Sequence, residues 1–200
     1  MNQQELSTLL TELRSHSHET EWIEFKHNHA DPQEIGEYLS AISNSAALHR
    51  KDAAYIVWGI EDATHNVVGT TFKPRQAKKG NEELENWLLR LLAPRIDMKI
   101  HEFQENGVDV VMFETQPAHR TPVAFSGTEF IRVGSIKKKL KEYPDKERAL
   151  WAIFSETPFE KGIAAKAVSS NDVLRLIEFI IPGPAGNGPE ELRHRFPNHP

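Results

Sequence analysis

The sequence predicts an α/β (α+β) fold with a mixed, largely antiparallel sheet and helices packed on it. Three observations predict this class. An alternating segment at 22–26 and a nearly unbroken apolar run at 53–60 are typical of strands, and a helical pattern separates them. An Asn-Gly turn at 106–107 joins two further strand patterns. With 200 residues, the chain is long enough to bury one substantial core.

The strand at 22–26 places apolar and charged side chains on opposite faces. Alternation puts Ile23 and Phe25 on one face, and Glu24 and Lys26 on the other. The apolar pair is expected to enter a core. The charged pair stands side by side in a segment that contains further glutamates, so these carboxylates must be solvated, paired or bridged by a cation.

The remaining elements follow from apolar periodicity, caps and turns. Helices are predicted at 3–14, at 32–48 after the Asp31 N-cap, from the Asn81 N-cap to Pro94, and from Pro144 onward with Leu150, Trp151 and Phe154 as its apolar face. Hairpins are predicted from strands at 98–103 and 108–115, and from strands at 123–125 and 129–133. The basic segment 72–80 is predicted to be a loop that stays flexible until a ligand binds.

Composition excludes several classes of protein. The chain has no cysteine, so a disulfide framework and a thiolate metal site are both excluded. No segment approaches the length of a membrane span, and the first residues do not resemble a signal peptide. A cytoplasmic protein without membrane contact is therefore expected.

The net charge of −5 is unevenly distributed along the chain. Residues 1–66 contain 4 Lys or Arg and 11 Asp or Glu, whereas residues 67–150 contain 15 Lys or Arg and 12 Asp or Glu. Within the second section, residues 118–141 contain six basic residues and one acid. An acidic region together with a basic tract suits a polyanion that is held with the help of divalent cations.

The basic tract supplies the candidate nucleic-acid contacts. Lysine and arginine would pair with phosphate groups, and the Gly134-Ser135 turn would offer backbone N–H groups. The candidates are Arg120, Arg132, Ser135, Lys137, Lys138, Lys139 and Lys141. Consecutive lysines are also common on a plainly solvated face, and this alternative stays open.

Four motifs occur in an order that resembles the Schlafen-type AlbA domain. They are Glu19-x4-Glu24-Phe25-Lys26, the helical stretch Leu39-Ser40-Ala41-Ile42-Ser43-Asn44-Ser45, the run Ile56-Val57-Trp58-Gly59-Ile60-Glu61-Asp62, and Phe130-Ile131-Arg132-Val133-Gly134-Ser135. The resemblance covers roughly residues 15 to 155. It implies the fold expected above, and a nucleic acid, either DNA or structured RNA, as the partner.

The resemblance implies two alternative functions. Bacterial members are described as DNA-binding modules of transcriptional regulators. Some other members are endoribonucleases that cleave tRNA and rRNA through three acids, which fall on Glu19, Glu24 and Asp62 here. These acids would be catalytic and would bind Mg²⁺ or Mn²⁺, while the Lys26 ammonium would neutralise phosphate or polarise water. In the binding alternative, the acids pair with Lys26 or its neighbours and hold the fold.

Two further interpretations match the sequence less well. Restriction endonucleases also carry Glu-x-Lys on a strand, but their aspartate precedes that motif, whereas Asp62 follows it. Four histidines flank the acidic strand, yet their spacing matches no zinc pattern: His16, His18, His27 and His29.

The expected organisation is one domain with an appended segment. Residues 1–160 form the nucleic-acid-binding domain, 161–181 an appended helix, and 182–200 a linker or disordered tail, because glycine and proline are frequent after residue 181. Members of the family commonly continue into an ATPase-like region, which would be missing from this chain. Mammalian relatives place two such domains around a groove, so a homodimer is expected.

Overall fold

Helices and strands alternate along the part of the chain that the structure describes. The structure is a computed structural model that describes residues 1–16 and 20–156, all within one compact unit, Met1–Thr157. The helices are α1 (Gln3–Arg14), α2 (Pro32–Leu48), α3 (Leu84–Leu91) and α4 (Pro144–Glu156), with a 3₁₀ turn at Leu140–Glu142. The strands are β1 (Ile23–Lys26), β2 (Ala54–Trp58), β3 (Lys78–Lys79), β4 (Glu82–Glu83), β5 (Leu92–Ala93), β6 (Met98–Glu105), β7 (Val108–Thr115), β8 (Ala124–Phe125), β9 (Thr128–Val133) and β10 (Ile136–Lys139).

The strands of the described residues form two four-stranded sheets and one short hairpin, β3–β4. The first sheet has the order β1-β2-β7-β6. Its strands β1 and β2 are parallel and are connected through α2, whereas its other neighbours are antiparallel. The second sheet has the order β10-β9-β8-β5 and is antiparallel. The predicted α+β fold with a mixed, largely antiparallel sheet is therefore confirmed.

The first sheet is covered on both faces. On one face, Ile23 and Phe25 of β1 pack with Leu10 of α1. On the other face, Ile56 and Trp58 of β2 join a core that includes apolar residues of α2, α3 and α4. The face predicted for the apolar pair of β1 is confirmed, and so is the burial of β2.

Helices α1 and α2 begin at polar caps. The Asn2 side chain accepts a hydrogen bond from the Glu5 N–H, and the Glu5 carboxylate accepts one from the Asn2 N–H. This reciprocal pair satisfies backbone donors that α1 leaves without a partner. Asp31 accepts from the Glu34 N–H, and Pro32 occupies the first turn of α2. The predicted start of α2 is confirmed.

Buried side chains of α2 bind the main chain of β9 and of Val123, the residue before β8. The Asn44 amide donates to the carbonyl oxygens of Val123 at 2.9 Å and Phe130 at 2.8 Å, and its oxygen accepts from the Val123 N–H at 2.7 Å. The Ser40 hydroxyl donates to the Val123 carbonyl and accepts from the Phe130 N–H. These bonds satisfy polar groups that would be costly to bury alone. They fix the position of β9 relative to α2.

The basic segment before α3 differs from its prediction. Lysines and glutamates at 78–83 pair in the β3–β4 hairpin, so Asn81 lies in its turn and is not the N-cap of a helix. The helix begins at Leu84 without a side-chain cap. Lys73 Nζ also lies 2.6 Å from an Asp109 carboxylate oxygen. The expected flexible loop thus contains a strand and an ion pair.

Strand β6 lies at an edge of the first sheet, and side chains bind two of its carbonyl oxygens. Its eight residues pair with β7. The Gln3 amide donates to the Gln104 carbonyl at 2.5 Å, and the Arg75 guanidinium donates to the Ile100 carbonyl at 3.3 Å. Arg75 Nε also lies 3.7 Å from a carboxylate oxygen of Glu102.

The last described helix corrects one prediction. Leu150 and Phe154 are buried, but Trp151 is 44% exposed. Neighbouring helical residues point about 100° apart, so Trp151 does not share the face on which Leu150 and Phe154 lie four residues apart. The predicted helix at 161–181 and the predicted tail at 182–200 lie outside the described residues. None of the described helices has the length and apolar character needed to cross a membrane.

Candidate nucleic-acid interface

Glu24 is part of a buried cluster of charges. It lies on the face of β1 that is turned toward α2, and only 5% of the residue is exposed. Lys26 Nζ lies 2.9 Å from Glu24 Oε1. The guanidinium of Arg132, which is completely buried in β9, pairs with Glu24 Oε2. Glu24 and Lys26 therefore stand side by side, as alternation along the strand predicts.

Tyr38 of α2 is a third partner of Glu24. Its hydroxyl hydrogen-bonds with Glu24, and Lys26 Nζ lies 4.2 Å from the centre of its ring. Burial raises the pKa of the Tyr38 hydroxyl, and the charge and hydrogen bond of Glu24 raise it further. The hydroxyl therefore stays protonated and donates to the carboxylate.

The position of Arg132 does not fit a phosphate contact. The sequence places its side chain opposite Ile131 and Val133, and this alternation is present in β9. What the sequence did not indicate is that α2 and β1 cover the Arg132 face, so that its guanidinium is enclosed and paired with Glu24. A ligand would have to separate this buried pair, which costs several kcal/mol.

The three predicted metal ligands do not form a group within the described residues. Glu19 lies outside them, and Asp62 is exposed in the turn after β2. No three His, Asp or Glu side chains in the described ranges are close enough to hold a metal ion. Mg²⁺ or Mn²⁺ at Glu24 would have to replace Lys26 and Arg132, so Glu24 does not fit a metal ligand in this arrangement. The three-acid site, with Lys26 beside it, stays a prediction.

The consecutive lysines form an edge strand, β10, which the sequence analysis did not predict. A two-residue turn joins it to β9 and places Lys137 opposite Arg132. Lys137 Nζ lies 2.6 Å from a Glu37 carboxylate oxygen and 4.5 Å from the centre of the Tyr38 ring. Contacts with α2 thus hold Lys137 and partly neutralise its charge.

Three further lysines follow on β10 and the 3₁₀ turn. Lys139 and Lys141 are exposed and Lys138 is half-buried. Within residues 1–16 and 20–156, these three lysines form no ion pair. We refer to Lys138, Lys139 and Lys141 as the β10 lysine surface. Arg120 is exposed in the segment that connects β7 to β8.

A glutamate holds the turn between β9 and β10. The Glu21 carboxylate accepts a hydrogen bond from the Gly134 N–H at 2.9 Å and lies 2.7 Å from both Lys146 Nζ and His49 Nε2. Burial acts to raise the pKa of Glu21, but the hydrogen bonds from His49, Lys146 and Gly134 outweigh it and lower that pKa. The Gly134 N–H expected to bind phosphate is therefore bonded to Glu21, whereas Ser135 is exposed.

Sequence reasoning gave no role to three residues that shape this region. Tyr38 follows Ile35 by three positions, so its place beside the apolar stripe of α2 is a signal for partial burial. Glu21 was visible only as one of several acids before β1. Glu129 is the single acid within residues 118–141, and its isolation in a basic tract is the signal that was available.

The solved structures that this chain resembles include two of low sequence identity. The DIP2311 protein from Corynebacterium diphtheriae is 15% identical, with a TM-score of 0.39; the match covers 68% of this chain and 26% of that one. The N-terminal domain of a RecG-related protein from Nitrosomonas europaea is 20% identical, with a TM-score of 0.42. That match covers 66% of this chain and 90% of the other. The chain thus spans about a quarter of the length of the Corynebacterium protein. Comparison with curated proteins gave no match.

A family model described as Schlafen, AlbA_2 matches residues 19–141. The match covers more than half of the chain. It includes the strand with Glu24, the helix α2 that binds both sheets, and the whole of the β10 lysine surface. The chain therefore belongs to the Schlafen AlbA_2 family.

Proposed function

We propose that this domain binds nucleic acid, DNA or RNA, through the β10 lysine surface. The observation that carries the proposal is that Lys138, Lys139 and Lys141 lie close together in the sequence and form no ion pair among the described residues. Nearby, Lys137 and Lys146 are each paired with a glutamate. Membership of the Schlafen AlbA_2 family supports the same class of partner.

Electrostatics favour a local contact with phosphate. An ammonium group without an ion pair gains from a contact with phosphate, and a phosphate chain releases its own counterions when it binds. The net charge of −5 opposes binding over the whole surface. The contact is therefore confined to the basic tract, and its affinity falls as the salt concentration rises.

The test is a charge reversal with a matched control. The variant Lys138→Glu/Lys139→Glu/Lys141→Glu is compared with Lys51→Glu/Lys78→Glu/Arg148→Glu, which changes the net charge equally at exposed basic positions elsewhere. Affinity for a short single-stranded RNA and for a DNA duplex is measured by fluorescence anisotropy over a range of salt. We expect the first variant to lose most of its affinity and each lost phosphate contact to reduce the salt slope by about 0.7–0.9.

Equal losses in both variants would show that only net charge matters, and the β10 lysine surface would then have no specific role. Unchanged binding in the first variant would contradict the proposal directly. The finer functions, a transcriptional regulator or a metal-dependent endoribonuclease, stay predictions.

A further inference from the structure

A small cavity lies beside the β10 lysine surface. It is lined by the β8–β9 turn, the start of β9, and the two exposed lysines, that is, by Gly127, Thr128, Glu129, Lys139 and Lys141. Its volume is about 180 Å³. This is below the range of about 300–1,000 Å³ that encloses a drug-sized ligand, so the cavity suits one compact polar group.

Glu129 is the acid of this cavity. The residue is half-buried, and within the described ranges its carboxylate has neither an ion pair nor a hydrogen bond, although two lysines line the same space. Burial raises the pKa of Glu129, and the nearby charge of Glu147 raises it further. A hydrogen-bond donor on a ligand would therefore stabilise the ionised carboxylate of Glu129.

The lining combines two kinds of binding group. Lys139 and Lys141 carry positive charge for an anion, and their two charges exceed the single negative charge of Glu129. A carboxylate accepts hydrogen bonds but does not donate them when ionised. A suitable ligand therefore carries a phosphate and, close to it, a hydroxyl donor.

We infer that the cavity takes one ribose-phosphate unit of an RNA strand, with Lys139 and Lys141 on the phosphate and the Glu129 carboxylate accepting a hydrogen bond from the 2′-hydroxyl. The inference rests on the proposed nucleic-acid binding and names its substrate class. The 2′-hydroxyl is the group that distinguishes RNA from DNA at a given contact. Glu129 is thereby the residue that determines sugar specificity.

The test compares three single strands of one sequence: RNA, DNA, and RNA with 2′-O-methyl groups, which lack the 2′ donor. Affinity is measured by fluorescence anisotropy for the wild type, Glu129→Ala, Lys139→Ala/Lys141→Ala, and the control Glu142→Ala. Glu142 is an exposed acid next to Lys141 and does not line the cavity. Circular dichroism establishes that each variant is folded.

We expect the wild type to bind RNA about tenfold more tightly than DNA, since a hydrogen bond to a charged group has about this effect. The 2′-O-methyl strand should bind the wild type as weakly as DNA does. Glu129→Ala should bring RNA affinity down to that of DNA, Glu142→Ala should keep the preference, and the double lysine variant should weaken both strands alike.

Three results would overturn the inference. In the first, Glu129→Ala tightens the binding of both strands equally, which would make Glu129 an electrostatic obstacle to phosphate. In the second, the wild type binds RNA, DNA and the methylated strand alike; nucleic-acid binding then stands and only the sugar contact fails. In the third, the wild type binds none of them, and the proposed function fails as well.

Discussion

Glu24 differs from the other acids near β1 because cations bind both of its carboxylate oxygens in a buried position. Glu24→Ala leaves Arg132 buried without its carboxylate, so we expect the free energy of unfolding to fall by about 3–5 kcal/mol. Urea unfolding measures this change. Asp62→Ala is the control, since Asp62 is exposed and its loss should stay within about 0.5 kcal/mol.

The opposite result would revive the three-acid hypothesis. If Glu24→Ala were more stable than the wild type, and if Mn²⁺ raised the melting temperature of the wild type but of neither variant, then Glu24 and Asp62 would be metal ligands. RNA cleavage that depends on Mn²⁺ and is lost in both variants would complete that case.

Glu21 makes stability depend on pH. Its pKa is lowered in the folded protein, so its contribution is present above the ordinary value of 4.5 and is lost as the pH falls through the lowered pKa. We expect Glu21→Gln to lower the free energy of unfolding by about 1 kcal/mol at pH 7. The difference from the wild type should disappear in strongly acidic solution. Denaturant unfolding at several pH values measures it, and a constant difference would contradict this role.

Strand alternation was sufficient to place Glu24 beside Lys26 and Arg132 opposite Ile131. It did not indicate that these side chains meet, because Glu24 and Arg132 are 108 positions apart in the sequence. Burial of a charge depends on what covers it, and the cover of Arg132 comes from elements elsewhere in the chain. This is why the predicted phosphate contacts included a buried arginine.

At the scale of elements, α2 packs closely on β8 at Gly36. A Cβ atom at this position would lie 2.1 Å from Phe125 Cε2. Gly36→Ala should therefore destabilise the protein by about 1–3 kcal/mol through overpacking, although alanine favours a helix by about 1 kcal/mol. Thermal unfolding measures the change. Phe125→Leu in the Gly36→Ala background should recover part of the loss, and no recovery would place the strain elsewhere.

The long elements were predictable because the sequence pattern that indicates each of them extends over many residues. The helices α1 and α2 show several turns of apolar periodicity, and the Asn-Gly turn fixes the β6–β7 hairpin. The pair β3–β4 and the strand β5 have two residues each, too few for any period to show. Lysine-rich β10 was missed because it is held by pairing with β9, and its composition is not typical of a strand.

At the scale of the whole molecule, the homodimer stays a prediction. Exposed apolar side chains mark two candidate surfaces, the β9–β10 hairpin with Ile136, 58% exposed, and α4 with Trp151, 44% exposed. We expect light scattering to show dimers in the wild type. One of the variants Ile136→Asp and Trp151→Asp should be monomeric, and the variant that is monomeric identifies the dimer surface. A wild type that is monomeric at high concentration would exclude the dimer.

The side chains along β6 protect the edge of the first sheet. Open carbonyl oxygens at a sheet edge recruit strands from other chains, and Gln3 and Arg75 bind two of those on β6. Both are exposed, so Gln3→Ala/Arg75→Ala should shift the melting temperature little. We expect it to shorten the lag before fibrils form in a thioflavin assay, with Gln4→Ala/Arg148→Ala as the control. Two contacts that contribute little to the free energy of folding would then set the lag time before amyloid fibrils grow.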